Sequence, residues 1–415
     1  MPKAKHNILQ PQYLNEFRCA GGACEDNCCC DGRQVYVDKK TFLKYKRVED
    51  ETLAPLFEKH VKRERDGERK SDENYARIGM LGSSCAFHDG QKLCAIQGRL
   101  GYDYLCDACA AYPRVYKQVD RKLERCGTMA CPEIVRAALK SPNGIALESV
   151  EEFGRVPSRS PSLDTRLTKF AATPVKFFWD IRLFCLTLLQ NRAYTLGQRL
   201  VVLGMLYKKI EELDRAGNVE GIPAMLEQFG QEAENGAFKS ELDQIESGPE
   251  VHVALVKMLT DRQLGSNLAE SGRYLQCVME TLAGLQIVEG GAIDGSLKKY
   301  AENRDAHVSY YMKEKEYVLE NFMVNEYFMR LMPFGSDETM WDSYIYLCVT
   351  YGMVKLHLNG MAGYHKGLND KTVFRLIQAF SKAVQYDRSP VLNIVRQLKG
   401  AGRGTLAWMA MMVTE

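Results

Sequence analysis

At 415 residues, 46% of them apolar and 26% charged, the chain is long enough for two domains and far from the composition of a disordered one. Its 55 basic residues stand against 53 acidic, and a net charge of +2 excludes any global electrostatic pull toward nucleic acid or an anionic membrane. The N-terminal MPKAKHNILQPQ lacks the apolar run of a secretory signal, so a cytoplasmic protein with reduced thiols is expected.

Cysteine usage divides the chain. Eleven of its 14 cysteines fall in residues 1–131, where even scatter would place about four. CAGGACEDNCCC carries Cys19, Cys24, Cys28, Cys29 and Cys30, with Gly21 and Gly22 giving the backbone freedom to wrap around a small object. The mixed-charge run VKRERDGERKSDENYAR from Val61 predicts a solvated helix face or loop. CAFHDGQKLC then supplies Cys85 and Cys94, LCDACAAYPR supplies Cys106 and Cys109, and CGTMACPE supplies Cys126 and Cys131.

Three chemistries compete for these thiols. Disulfides are disfavoured in a reducing compartment and in a chain that can build a core. Structural zinc ordinarily shows two Cys-x2-Cys knuckles or a Cys/His mixture. Here Cys106 and Cys109 form the lone such pair, and His60 and His88, in no zinc spacing, read as surface or packing residues. More than four soft thiolates favour an iron–sulfur group with additional thiols around it, and zinc stays open beside it.

The segment from Ser141 to Asp164 is rich in Pro, Ser and Gly and reads as a linker (141–164) between a Cys-rich region (1–140) and a helical domain (165–415). The helical reading rests on long stretches with apolar residues at helical spacing, among them FFWDIRLFCLTLLQ, VHVALVKMLTD, EYVLENFMVNEYFMRLM, MWDSYIYLCVTYGMVKLHL and KTVFRLIQAFSKAVQ. The stretch from Pro174 is interrupted by Lys176, Asp180 and Arg182, so a buried helix is expected there and no membrane span. Cys185, Cys277 and Cys348 read as small core residues. The expected fold is mainly α: an irregular Cys-rich metal-binding region packed on a C-terminal helical bundle.

At this point the residues resemble the flagellin lysine-N-methylase family, which is related in its Cys-rich part to small zinc- or iron-chelating proteins. The resemblance runs through Phe17, Cys19, Gly21, Cys24, Cys28 and Cys29, then a strand VYVD ending at Asp38, then Phe42 and Tyr45. It continues through Cys85 with Phe87, Cys94 with Ile96, Cys109 followed by Tyr112-Pro113-Arg114, Cys131-Pro132-Glu133, and YVLENFMVNEYFMRLMPF from Tyr317. The chain departs from the pattern after Cys29, where Cys30-Asp31-Gly32-Arg33 replaces the usual Trp; Cys30, Cys106 and Cys126 have no counterpart and are secondary.

The resemblance implies an enzyme that moves methyl groups from S-adenosylmethionine to surface lysines of flagellin and carries a 4Fe-4S cluster; the charge balance and the interrupted apolar stretch add the expectation of no nucleic-acid and no membrane partner. It implies metal ligands drawn from Cys19, Cys24, Cys28, Cys29, Cys85, Cys94, Cys109 and Cys131. A metal-binding chaperone or redox adaptor without methyltransferase activity is the alternative from a different class.

The chemistry sets its own requirements. A lysine amine, with a reference pKa near ~10.4, must shed its proton before it can attack a sulfonium methyl. Aromatic faces stabilise the cation as it moves, and Tyr310, Tyr311, Tyr317, Tyr327, Tyr344, Tyr346 and Tyr351 could line such a wall, although helical spacing makes them core candidates first. LQIVEGGAIDG, from Leu285 to Gly295, is a poor match to a nucleotide-type glycine loop and reads as a helix-ending turn. No catalytic or cofactor-binding residue is legible.

Overall fold

A computed structural model describes residues 5–30, 32–64, 71–153, 155–156, 162–245, 248, 251, 272–287, 293–335, 339–386 and 389–414. The chain forms two compact units: Met1–Ile134 with Leu147–Ser162, and Val135–Ala146 with Leu163–Glu415.

The first unit is built on a sheet. β1 (Lys5–Pro11) pairs antiparallel with β9 (Leu147–Phe153) from Lys5↔Phe153 to Pro11↔Leu147, and parallel with β8 (Lys122–Gly127) through Ile8↔Leu123. β7 (Arg114–Val119) and β8 form a hairpin whose two-residue turn, Asp120-Arg121, has φ of 49° and 69°. Positive φ at both positions matches the twist of the flanking strands. The sheet order is β10-β7-β8-β1-β9, with the short β10 (Ser162–Leu163) at one edge.

Polar side chains bridge the middle of this sheet. Arg125 Nε donates to Gln10 Oε1 at 2.9 Å, and Gln10 Nε2 donates to Glu148 Oε1 at 2.9 Å, tying β8, β1 and β9 together. These buried polar contacts explain why β1 and β9 lack the alternation that announces a strand. The expected irregular region is therefore partly sheet, and the stretch read as a linker contains β9, a full partner of the N-terminal strand. Residues 154 and 157–161 of that stretch lie outside the described residues.

A smaller sheet joins β2 (Tyr36–Val37), β4 (Ala76–Ile78) and β3 (Val61–Arg63), beside a two-stranded ribbon of β5 (Met80–Leu81) and β6 (Ser84–Cys85). The charged run from Val61 therefore begins as a strand, while residues 65–70 lie outside the described residues. Short helices surround these strands: α1 (Lys39–Tyr45), α2 (Leu53–His60), α3 (Ala95–Leu100) and α4 (Asp107–Ala111). Their shared core includes Val37, Tyr45, Phe57, Ile78, Phe87 and Ile96. The chain crosses from the first unit to the second within α5 (Pro132–Leu139).

The second unit is helical, as expected. It contains α6 (Phe178–Leu189), α7 (Leu196–Arg215), α8 (Ile222–Glu234), α9 (Lys239–Leu242), α10 (Gly272–Gly284) and α11 (Ile293–Asn303). After a π turn at Arg304–Val308 follow α12 (Ser309–Met329), α13 (Met340–His365), α14 (Asp370–Tyr386), α15 (Ser389–Gly400) and α16 (Leu406–Val413). Residues 252–261 of the expected helix VHVALVKMLTD, and residues 288–292 of the glycine-containing loop, lie outside the described residues. Among the described residues no helix is long and apolar enough to cross a membrane. Cys185, Cys277 and Cys348 are core residues, as their context predicts.

α13 is the axis of this unit, buried along most of its length. α10 crosses it where backbones touch: a Cβ on Gly284 would strike the Gly360 carbonyl, and one on Gly360 would lie 2.5 Å from the Thr281 carbonyl. Charge is buried in matched sets. Arg199 donates to Glu320 at 2.6 Å, to Glu316 at 2.9 Å, and to the carbonyls of Tyr194 (2.8 Å) and Leu189 (3.1 Å), so it ends α6 and anchors α12 at once. Arg192 completes the set with 2.8 Å and 3.0 Å bonds to Glu320. Removing one member would strand a buried charge.

His357, fully buried on α13, joins a chain of polar groups. Thr281 Oγ1 donates to the Cys277 carbonyl at 2.7 Å, so it must accept from His357 Nδ1–H at 2.9 Å. His357 Nε2 then accepts from the Tyr274 hydroxyl at 2.9 Å. Burial pushes this imidazole down from its ordinary 6.5 to about 3. Below the unfolded value the unfolded chain binds a proton that the native state refuses, so stability falls as pH drops from 6.5 toward 3. The slope of that loss is about 1 kcal/mol per pH unit. We expect His357→Gln to flatten the dependence of the urea-unfolding free energy on pH between roughly 6 and 4 by that amount; parallel profiles for the two proteins would refute it.

Candidate metal centre

One carboxylate organises the thiol-bearing loops of the first unit. Asp38, which ends the strand at β2, accepts from the Thr41 N–H at 2.8 Å and so caps α1. It also accepts from the Asp107 N–H at 3.1 Å, at the start of α4. Arg155 reinforces the junction, lying 3.7 Å from Asp38, paired with Asp107, and donating to the Leu105 carbonyl at 2.6 Å. The result fixes Cys106, which precedes α4, and Cys109, which lies within it.

The other loops are tied by backbone. The Cys85 N–H donates to the Cys29 carbonyl at 2.7 Å, Asn27 bridges from Cys29 N–H (2.9 Å) to the Lys92 carbonyl (2.9 Å), and His88 pairs with Cys94. Gly21 has φ of +56°, and a Cβ on Gly22 would lie 2.6 Å from the Gln91 carbonyl. The glycine freedom read in CAGGAC is used to lay this loop against residues 91–93.

These loops gather thiols from four stretches of sequence. Cys106 and Cys109 are hydrogen-bonded to each other, which lowers Cys106 and raises Cys109: one proton serves two sulfurs. Cys29 is pushed up by its hydrogen bond to Cys28, then by burial and by the charges of Cys28, Cys94 and Cys85. Burial, with Cys94, Cys106 and Cys30 adding to it, pushes Cys85 up to about 11. Cys94 is raised by burial and by Cys106 and Cys28. A second group adjoins through Cys28: Cys24 is raised by burial and by Cys28 and Cys19, and Cys131, pushed up to about 12 by burial, feels Cys24 and Cys19.

Opposing these effects, backbone N–H groups point at the sulfurs. Phe87 donates to Cys85, Ile96 and Gln97 to Cys94, the Cys109 N–H to Cys106, Glu133 and Ile134 to Cys131, and Asp26 to Cys24. Such N–H groups stabilise thiolates and set the potential of iron–sulfur groups. Among the described residues, no three His, Cys, Asp or Glu side chains are already disposed to hold a metal ion. The thiols are neighbours without forming a closed cage.

The donor set nonetheless suits a soft cation or cluster, and one further atom supports that fit. The Tyr45 hydroxyl is buried and has no hydrogen-bond partner among the described residues. Its pKa is raised by burial and then by the charges of Cys106, Cys109 and Cys94. A buried donor without an acceptor is costly. A thiolate–metal or sulfide group among those three sulfurs would supply the acceptor.

Of the eight sequence-designated cysteines, Cys28, Cys29, Cys85, Cys94 and Cys109 stand together, and Cys19, Cys24 and Cys131 form the adjoining group. The sequence ranked Cys106 as secondary, yet it sits in the first group; its Cys-x2-Cys spacing to Cys109 was the available signal. Cys30 Sγ lies 3.3 Å from His88 Nε2, a pairing no spacing announced. Cys126 is buried in β8 with the Tyr13 hydroxyl 3.6 Å away. Of the tyrosines considered as an aromatic wall, Tyr311, Tyr327, Tyr344, Tyr346 and Tyr351 are buried core, and Tyr310 is 73% exposed.

Because Asp38 caps α1 and engages α4, Asp38→Ala should destabilise the protein by about 1–2 kcal/mol and speed alkylation of Cys109 by iodoacetamide. Unchanged thermal stability with unchanged Cys109 labelling in peptide mass maps would contradict this role.

Comparison with known proteins now adds identity to geometry. The family description of the FliB lysine N-methylase C-terminal domain fits residues 182–412. The chain is 22% identical over 410 residues to the lysine-N-methylase of Salmonella typhimurium, covering 96% of each, and equally to that of Salmonella choleraesuis. It is 27% identical over 150 residues to the flagellar biosynthetic protein FliU of Salmonella muenchen, covering 36% of this chain and 86% of that protein. No solved structure matches. With more than half its length fitted by that domain, the chain belongs to the FliB lysine N-methylase family.

Proposed function

We propose that this protein transfers methyl groups from S-adenosylmethionine to lysine side chains of flagellin, and that its Cys-rich unit carries an iron–sulfur cluster. The observation that carries the methyl-transfer reading is the alignment with two lysine-N-methylases along 96% of the chain. The flagellar name of the third relative supports the substrate. For the cluster, the support is the partnerless Tyr45 hydroxyl beside crowded thiols that backbone N–H groups address.

Cys28 and Cys29, Cys85, Cys94, and Cys106 and Cys109 are the residues that would hold the group. A bound cluster would supply cross-links among these loops and positive charge to thiolates that otherwise raise one another's pKa. Methylation of an amine by a sulfonium is a two-electron displacement and requires no electron transfer. The protein's own task is to present a neutral lysine amine in line with the methyl carbon and to keep water from competing.

Three experiments test this. Full-length protein purified without oxygen, incubated with S-adenosylmethionine and flagellin, should add methyl mass to flagellin lysines; unmodified lysines alongside demonstrably loaded enzyme would overturn the methylase reading. The same protein should contain iron and sulfide and absorb visible light. Tyr45→Phe should leave the metal-free protein as stable or more so, and should lower the reduction potential of the loaded one. Colourless protein with stoichiometric zinc would overturn the cluster.

A further inference from the structure

The substrate lysine must lose a proton, and the helical unit offers a group built to take it. His365 ends α13, with its side chain 33% exposed, and its Nε2 lies 2.9 Å from Glu280 Oε2 on α10. Glu280 is otherwise saturated: Gln276 donates to Oε1 at 3.0 Å, and Arg375 grips both oxygens, its Nη1 at 3.0 Å from Oε1 and its Nη2 on Oε2. A carboxylate has no proton to give here, so His365 must carry its hydrogen on Nε2. In the neutral ring this leaves the lone pair on Nδ1, and no hydrogen bond occupies that nitrogen among the described residues.

Charge accounting points the same way. Arg375 already neutralises Glu280, and its Nη2, 3.3 Å from His365 Nε2, is a second donor turned to the same Oε2 and makes no bond to the ring nitrogen. The carboxylate orients the ring without forming an uncompensated ion pair with it. This is the geometry in which a carboxylate positions an imidazole and the far nitrogen works as a base.

An exposed aromatic ring, of the kind that attracts a cation, stands beside the imidazole. The Tyr364 ring stands perpendicular to His365 at 4.9 Å between centroids and is 52% exposed. Among the described histidines, His365 is the one with a carboxylate on its imidazole. His357 is sealed in the core with both nitrogens engaged.

We propose that His365 is the catalytic base for the substrate lysine, with Glu280 and Arg375 as positioning residues. The assignment rests on the lysine-methylase reading. An Nζ–H bond of the ammonium breaks and the proton goes to His365 Nδ1. The freed Nζ pair forms the new N–C bond as the methyl–sulfur pair returns to sulfur. His365 then passes its proton to water, and the methylated ammonium can enter a second round.

The test is single-turnover methylation by the full-length, metal-loaded protein across pH 7 to 10, for wild type, His365→Ala, His365→Gln and Glu280→Gln. The titratable and charged groups facing His365 are the Glu280 carboxyl, which is lowered, the Arg375 guanidinium, the Tyr364 phenol, and Cys277 behind them, pushed up to about 11; Tyr364→Phe carried through the same profile separates the phenol from the imidazole. His365→Ala should slow the step by about 10²-fold near neutral pH. Its deficit should shrink as pH rises toward the lysine's own pKa, and added imidazole should restore part of the rate. Glu280→Gln should show a smaller deficit with the same pH trend, and His365→Gln should match His365→Ala while keeping wild-type circular dichroism. A deficit that stays constant with pH and ignores imidazole would assign His365 a structural role and overturn the proposal. Wild-type protein that methylates normally with His365→Ala within twofold of it would overturn the base assignment alone. Wild-type protein that methylates no lysine would overturn the methylase reading and the base with it.

Discussion

The carboxylate of Asp38 is the constraint on which the first unit depends. A thiol-rich centre cannot organise itself, because thiolates repel and thiols make weak hydrogen bonds. The fold therefore fixes the backbones first. Asp38 ends one strand, caps α1 and engages the start of α4, and Arg155 sits against both its carboxylate and that of Asp107. Backbone bonds between Cys85 and Cys29 and across Asn27 bring in the remaining loops. The crowded sulfurs are then a consequence of a frame that hydrogen bonds and a small core hold without them, and the raised thiols and the partnerless Tyr45 hydroxyl are what that frame leaves to be compensated.

The helical unit solves the opposite problem, having to bury many polar groups inside tightly packed helices. Gly284 and Gly360 let α10 approach α13 to backbone contact, and Gly363 leaves room on α13 for the Asn303 side chain at the end of α11. Asn303 and Asn359 then donate across these seams to the carbonyls of Gly284 (3.0 Å) and Tyr300 (2.9 Å). Asn321, in the segment that resembles the family's Asn-aromatic motif, donates to the carbonyls of Ala138 and Ser141, each at 2.9 Å. That asparagine closes the end of α5 from within the same unit, a structural use of a residue that a motif alone would leave unexplained.

The two units were unequally legible in sequence. Long apolar periodicity made the helical unit readable, because α6, α12, α13 and α14 bury whole faces and local spacing reports burial directly. The sheet of the first unit was not readable, because β1 pairs with β8 and β9 more than a hundred residues away, and its central positions are Gln10, Arg125 and Glu148. Polar residues that satisfy one another across strands carry no alternating signal. The Pro/Ser/Gly-rich stretch after Ser141 hid β9 for the same reason. At the metal centre the residue types were legible and their grouping was not: the Cys106–Cys109 spacing was visible, but nothing in the chain could say that Cys28 links two sets of sulfurs or that His88 would meet Cys30.

The carboxylates of the helical unit show why Glu280 differs from its peers. Glu320 is matched by Arg199 and Arg192, Glu326 by Arg330 at 2.8 Å, Asp370 by Lys315 at 2.7 Å, and Asp342 by Lys399. Arginine and lysine keep their protons at any pH a cell reaches, so these pairs are fixed charges that only hold helices together. Glu280 has such a partner in Arg375 and in addition touches the imidazole of His365 at 2.9 Å. A purely structural clamp between α10 and α14 would be complete without the third member. The histidine is held by that carboxylate through Nε2, and its side chain stands one-third exposed at the end of α13, where its other ring nitrogen has no partner among the described residues.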